Sequence, residues 1–200
     1  VARTVNTQAR KEKRDRILEA AVQLFPEYGY AGTTFGIIAE SINISAATIL
    51  LYFKNKEELF RCAVVEPLEQ FRGPFYSFME VEGTPLDKLR HMLETHIGMA
   101  AVGQPYIRLA HYVLGQFRRF PAETAVLDEF GNQFTEKLAA IIEEGQALGQ
   151  LQTQPAWEVA WAYFGFYQGV ALTDHTRAST EYWTGMQRTG LNLFAPVVSL

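Results

Sequence analysis

The chain is poor in the residues and patterns that most function classes require. Its 200 residues include one cysteine, Cys62, so no intrachain disulfide can form and a reducing cytoplasm is expected. No apolar run approaches the roughly 18 residues of a membrane span. The N-terminal stretch is basic but leads into an amphipathic pattern, so no secretory leader is expected. No segment alternates apolar and polar residues convincingly, and neither Asn-Gly nor Asp-Gly occurs, which leaves strands and hairpins without a signal. A glycine-rich phosphate loop is also missing. Of the four histidines, His91 and His96 are five apart and do not share a helix face as an i, i+4 ligand pair would. His111 and His175 have no cysteine or carboxylate at ligand spacing except Asp174, an immediate neighbour pointing elsewhere. Cys62 lacks a recognisable histidine partner. No metal, cofactor or catalytic residue is therefore expected, and an enzyme is the weak alternative.

What the chain does have is apolar residues, 48% of the total, at helical spacing, enough for one or two packed helical domains. Its net charge of −4 hides an asymmetry. Residues 1–16 hold Arg3, Arg10, Lys11, Lys13, Arg14 and Arg16 against Glu12 and Asp15, a surplus of four positive charges. Residues 61–200 carry a net −5. A basic end on an acidic body is expected when only that end meets phosphate. Ile17, Ala21, Leu24 and Tyr28 form the stripe of a first helix, joined by Leu18 and Phe25 and closed by Gly29. Arg10 and Arg14 extend the stripe backwards, either as helix toward a DNA backbone or as an arm entering a minor groove.

Residues 33–60 are the most informative. Phe35, Ile38, Ala39 and Ile42 fall at i, i+3, i+4 and i+7, one face of a short helix. Thr34 is placed to cap it and to bond phosphate, and Asn43 tolerates the left-handed backbone of a sharp turn. Ser45 offers a second N-cap, with Ile44 and Ile49 spaced as a hydrophobic staple and Ile49 and Phe53 directed inward. Ala46, Ala47 and Thr48 are left outward at the end that a helix-turn-helix reader inserts into the major groove. Small outward side chains allow deep entry: the Thr48 hydroxyl can bond a base edge or phosphate, and alanine methyls can touch a thymine methyl. Asn55 and Glu58 have capping-box spacing, and Lys56 adds a charge at the helix start, where a phosphate would meet free N–H groups. The expected DNA contacts are Arg10, Arg14, Thr34, Ser45, Ala46, Ala47, Thr48, Tyr52 and Lys56.

Several spaced elements occur together: Ala20-Ala21, Leu24-Phe25, Gly29-Tyr30, Thr33-Thr34, Ile38-Ala39, Ile44-Ser45, Thr48-Ile49, Tyr52-Phe53 and Asn55-Lys56-Glu57. In these, residues 17–60 resemble the DNA-binding domain of the tetracycline-repressor (TetR) family of bacterial regulators. The sequence departs from that pattern in three places. Ala47 stands where a Gly is frequent, Leu50 where a Tyr commonly reaches a phosphate, and Pro26 interrupts the end of the first helix, where it should bend the last turn. The resemblance implies an all-α protein of about nine helices. It implies a DNA-binding domain over residues 1–55 and an effector-binding and dimerisation domain over 56–200.

Beyond residue 60, Gly and Pro punctuate helical segments. They are expected over Lys56 to about Val81 (bent at Pro67 and near Gly73-Pro74), Leu86–Val102, Tyr106–Phe120, Ala122–Leu148, Ala156 to about Thr176, and Glu181–Phe194. The segment from Ala156 is apolar almost all round, and a helix apolar on every side must be covered on every side. The resemblance implies that a second copy covers it, through a four-helix interface built from residues 156–194. It also implies a cavity between the central helices for a small effector. Candidate lining residues are Met92, His96, Met99, Tyr106, His111, Tyr112, Phe117, Phe134, Tyr163 and Tyr167, a set suited to a largely apolar or aromatic ligand. The expectation is a cytoplasmic, homodimeric, ligand-responsive repressor of a palindromic operator. A helical enzyme or a protein-binding adaptor would instead show no salt-sensitive binding to duplex DNA.

Overall fold

The computed structural model describes residues 2–102, 105–173 and 178–197, with side chains from residue 7 onward; Asp174, His175 and Thr176 lie outside the described residues. Among the described residues nine α-helices form in chain order: α1 Ala2–Gly32, α2 Phe35–Ser41, α3 Ala46–Leu50, α4 Lys56–Tyr76, α5 Pro85–Ala101, α6 Pro105–Leu114, α7 Pro121–Ala147, α8 Ala156–Leu172 and α9 Thr180–Leu193. A 3-10 turn over Ser77–Glu80 follows α4. Extended pairing among the described residues is limited to one bridge between Leu151 and Pro196. No helix among them is long and apolar enough to cross a membrane.

The helix ends follow local chemistry. Thr34 and Ser45 accept from the N–H groups of Ile37 and Thr48, as their hydroxyls allow. Asn43 adopts a φ of 56° in the turn between α2 and α3. Thr84 and Asp87 cap α5 reciprocally, with Pro85 in its first turn. α6 stops at Leu114, short of the expected Phe120, and the chain turns instead, with the Gln116 N–H donating to Val113 O and the Phe120 N–H to Gln116 O. α4 continues through both Pro67 and Pro74.

The chain divides into two compact units, residues 1–69 with 108–124, and residues 70–107 with 125–200. In the first, α1 packs on α2 and α2 on α3 around fully buried Ile17, Ala21, Ile38, Ile49, Phe53 and Leu59. Phe60 anchors an aromatic cluster with ring centroids 4.8 Å from Phe25, 5.0 Å from Tyr30 and 4.6 Å from Phe120. Tyr28, expected on the inward stripe, is 51% exposed. Beyond it Gly29, with a φ of 70°, breaks the helical path, and Tyr30 after the break joins the aromatic cluster. The wholly buried Thr33 shares its one hydroxyl hydrogen between Gly29 O at 2.8 Å and Leu24 O at 3.2 Å, and its N–H also donates to Gly29 O.

In the second unit, α5 packs against α8 and α9. Gly190 makes the α9 contact possible. A Cβ there would meet Leu93 Cδ2 at 2.5 Å and the Phe166 ring at 3.0 Å. Gly190→Val is expected to lower stability by about 1–3 kcal/mol through overpacking. The check is a lower denaturant midpoint at unchanged slope.

Candidate functional site

α3 is held from beneath by Ile49 and Phe53, both buried, and presents Ala46, Ala47, Leu50 and the cap residue Leu51 outward. The hydroxyls of Ser45 and Thr48 lie 2.8 Å apart and bond each other, and Ser45 Oγ also accepts the Thr48 N–H. Behind α3 the Asn55 side chain accepts from the Glu58 N–H, half of the expected capping box. The other half is displaced by one residue, since Glu58 accepts from the Lys54 N–H rather than that of Asn55.

The basic residues have separate fates. α1 is helical from Ala2, so Arg10 and Arg14 ride on a helix rather than on an unwound arm. Arg10 is exposed, its guanidinium 3.4 Å from Leu51 O and 5.6 Å from the centre of the half-buried Tyr52 ring. Arg14 instead forms a two-pronged pair with Glu66, at 2.7 and 2.6 Å, and lies 4.9 Å from the Phe53 ring centre. That pair holds the Glu66 carboxyl below its ordinary value, while burial and the neighbouring Glu66 push the Cys62 thiol up to about 11. Arg14 is thus occupied within the fold, through a partner 52 residues away that no local pattern reveals. Lys56, half-buried, donates to Tyr30 O at 2.8 Å and Ala31 O at 3.4 Å, and its ammonium lies 4.6 Å from the Tyr30 ring centre. Thr34 is exposed at the start of α2.

The expected effector residues separate into two groups. His96, Phe134, Tyr163 and Tyr167 come together in the second unit around Phe75, whose ring stacks on His96 at 3.9 Å. Tyr106 approaches the same cluster through Phe71, at 6.1 Å, and Met92 is fully buried while Met99 is half-buried. His111, Tyr112 and Phe117 fall in the first unit. Tyr112 Oη accepts from the Tyr30 N–H at 2.7 Å, and Phe117 is exposed. Tyr112 therefore braces the backbone at the Gly29 break. Sequence spacing could not separate these groups, because α6 contributes residues to both units.

Within the aromatic cluster the proton positions follow from chemistry. His96 Nε2 is 2.8 Å from Phe75 O, which can only accept, so Nε2 carries the hydrogen. Burial pushes the His96 pKa down to about 3, so the ring is neutral and Nδ1 must accept from the Tyr163 hydroxyl at 2.9 Å. Tyr167 is also buried, and its hydroxyl has no hydrogen-bond partner among the described residues. No group of three or more His, Cys, Asp or Glu among the described residues could hold a metal ion.

Residues 17–63 match the family described as bacterial regulatory proteins, tetR family. A 51-residue stretch, 26% of the chain, is 43% identical to the biofilm operon HTH-type negative transcriptional regulator IcaR of Staphylococcus epidermidis, covering 28% of that protein. A 94-residue stretch, 46% of the chain, is 31% identical to a fatty acid metabolism regulator protein of Bacillus subtilis, covering 48% of it. The chain thus spans from about a quarter to about half of the curated relatives it matches. Among solved structures, AibR in complex with isovaleryl coenzyme A and operator DNA superposes with a TM-score of 0.75 over 92% of this chain and 99% of that one, at 18% identity. A regulator from Saccharomonospora viridis in complex with choline does so at 0.73 over 91% and 94%, at 21% identity. At these identities the likeness shows the fold.

Proposed function

We propose that this chain, whose residues 17–63 match the tetR family of bacterial regulatory proteins, is a dimeric, effector-responsive transcription regulator. The observation that carries the reading is the pair α2–α3, two hydroxyl-capped helices joined at a left-handed Asn43, with the outer side of α3 uncovered. Two such heads, one from each copy, read half-sites about 34–36 Å apart. Repression is the favoured sense, since the relative from Staphylococcus epidermidis is described as a negative regulator. A protein acting on bacterial operators works in the cytoplasm.

Ser45, Ala46, Ala47 and Thr48 face the groove in this reading, while Arg10, Thr34, Tyr52 and Lys56 supply phosphate contacts. Arg14 is left to the fold. The effector is a small, largely apolar molecule bound among Tyr106, Phe134, Tyr163 and Tyr167. A coenzyme A ester and choline, bound in two of the structural relatives, share little chemistry, so neither is transferred to this chain.

The test is binding to duplex DNA as a function of salt. Lys56→Ala and Arg10→Ala should each weaken binding to all sequences and reduce the salt slope by about one. Thr48→Ala should also relax sequence preference. Arg14→Ala should leave the slope alone and lower stability instead. An enzyme or a protein adaptor would show no salt-dependent DNA affinity in the wild type.

A further inference from the structure

The outer side of α3 is unusual in what it can offer a base edge. Ala46, Ala47, Leu50 and Leu51 are all exposed, with Leu50 55% and Leu51 70% open to solvent. Ala47 and Leu51 stand four residues apart at the centre of the outward side, and Ala46 and Leu50 form a second row beside them. None of the four carries a donor or acceptor on its side chain. The two hydroxyls nearby, on Ser45 and Thr48, bond each other, which leaves one hydroxyl hydrogen for a base edge or phosphate beside the hydrocarbon.

The charged groups lie at the margin rather than on this surface. Arg10 reaches the backbone of Leu51, and Lys11, Lys13, Arg16 and Lys54 are exposed elsewhere on the same unit. A hydrocarbon surface bordered by cations fits a duplex groove, where phosphates form the rims. On the groove floor, the apolar group available is the thymine C5 methyl. Guanine, cytosine and adenine present polar atoms there, which an alkyl side chain would desolvate without repaying.

We infer that Leu51 is a specificity residue, and that α3 selects thymine at the bases it faces by packing hydrocarbon against their methyl groups. The inference rests on the DNA-binding reading above and adds to it the class of half-site. Leu51, at the centre of the outward side, is the main contact; Ala47, one turn earlier, extends the surface along the groove. Both are solvent-exposed, so replacing them leaves the core intact.

The experiment starts from a pool of random duplexes, enriched on the full-length protein. The tightest duplex is then resynthesised with deoxyuridine for each thymidine in turn, which removes one methyl and nothing else. Loss of about fourfold in affinity is expected for each methyl packed against α3. Leu51→Ala should weaken binding to the thymine duplex by a similar or larger factor and bind the thymine and uracil forms alike. That loss of discrimination separates direct contact from a general weakening. An enriched duplex indifferent to uracil at every position would overturn the inference while leaving the DNA-binding reading standing. A pool from which no duplex is enriched would overturn that reading, and the inference with it.

Discussion

Trp157→Glu with Trp161→Glu is expected to turn a dimer into folded monomers and to weaken operator binding by about 10²–10⁴-fold, the scale at which linking two sites raises avidity. Trp157, Trp161, Gly165 and Gly169 are spaced by four along α8 and are all exposed, so they form one ridge. The two tryptophan rings meet edge to face at 5.9 Å, with Trp157 51% and Trp161 37% exposed. At Gly165 and Gly169 an added Cβ would meet nothing within 4 Å. In the dimer proposed above, this ridge with large side chains at one end and open space at the other is the surface expected to meet its own copy across a two-fold axis.

Sequence alone could not separate a core role from an interface role for this segment. Phe164 remains unsuitable as a probe, because its ring lies 5.4 Å from Phe134 and 3.0 Å from where a Cβ on Gly131 would be. The exposed tryptophans are suitable. Sedimentation of the wild type at micromolar concentration should show twice the chain mass, and the double variant the chain mass with unchanged helicity. A variant that stays dimeric, or a monomer that keeps full affinity for a palindromic operator, would defeat the reading.

The second large effect is expected from the effector. An effector that releases DNA must bind the DNA-incompetent shape more tightly, and a coupling of about 1–3 kcal/mol lowers operator affinity some 5–150-fold. Reciprocity requires DNA to weaken effector binding by the same factor, so both affinities are to be measured. α4 contributes residues 56–69 to one unit and 70–76 to the other.

Tyr167 supplies the check at the ligand end. A buried hydroxyl without a partner costs about 1–3 kcal/mol, so Tyr167→Phe should raise the stability of the effector-free protein. If that hydroxyl bonds a polar group on the effector, the same substitution should weaken effector binding by about 2–13-fold. Opposite signs for stability and ligand affinity are what a recognition residue produces. A Tyr167→Phe protein that is less stable and binds effector normally would assign the hydroxyl to the fold.

How much of this was legible in the sequence depended on the range of the interaction involved. The α2–α3 pair was readable residue by residue, because caps, turns and i, i+4 spacing are settled within a few positions: Thr34, Asn43 and Ser45 do what their side chains allow wherever they occur. The starts of α5, α7 and α9 were readable for the same reason. The partners of charged and polar groups were not. Arg14 looked like a free cation on a basic stretch until the fold brought Glu66 to it, and Lys56 turned to the carbonyls of Tyr30 and Ala31. Tyr28, on the expected stripe, is exposed, and Tyr30 is brought into the aromatic cluster after a backbone break at Gly29, a change of direction that helical periodicity assumes away. The aromatic residues of the central helices looked like one pocket, but Tyr112 and Phe117 fall in one unit, and His96, Phe134, Tyr163 and Tyr167 in the other. Local backbone preference alone therefore determined the helices and the reading head, whereas side-chain pairing across tens of residues, which tertiary packing alone decides, settled how Arg14 and Lys56 are engaged and left the Tyr167 hydroxyl without a partner among the described residues.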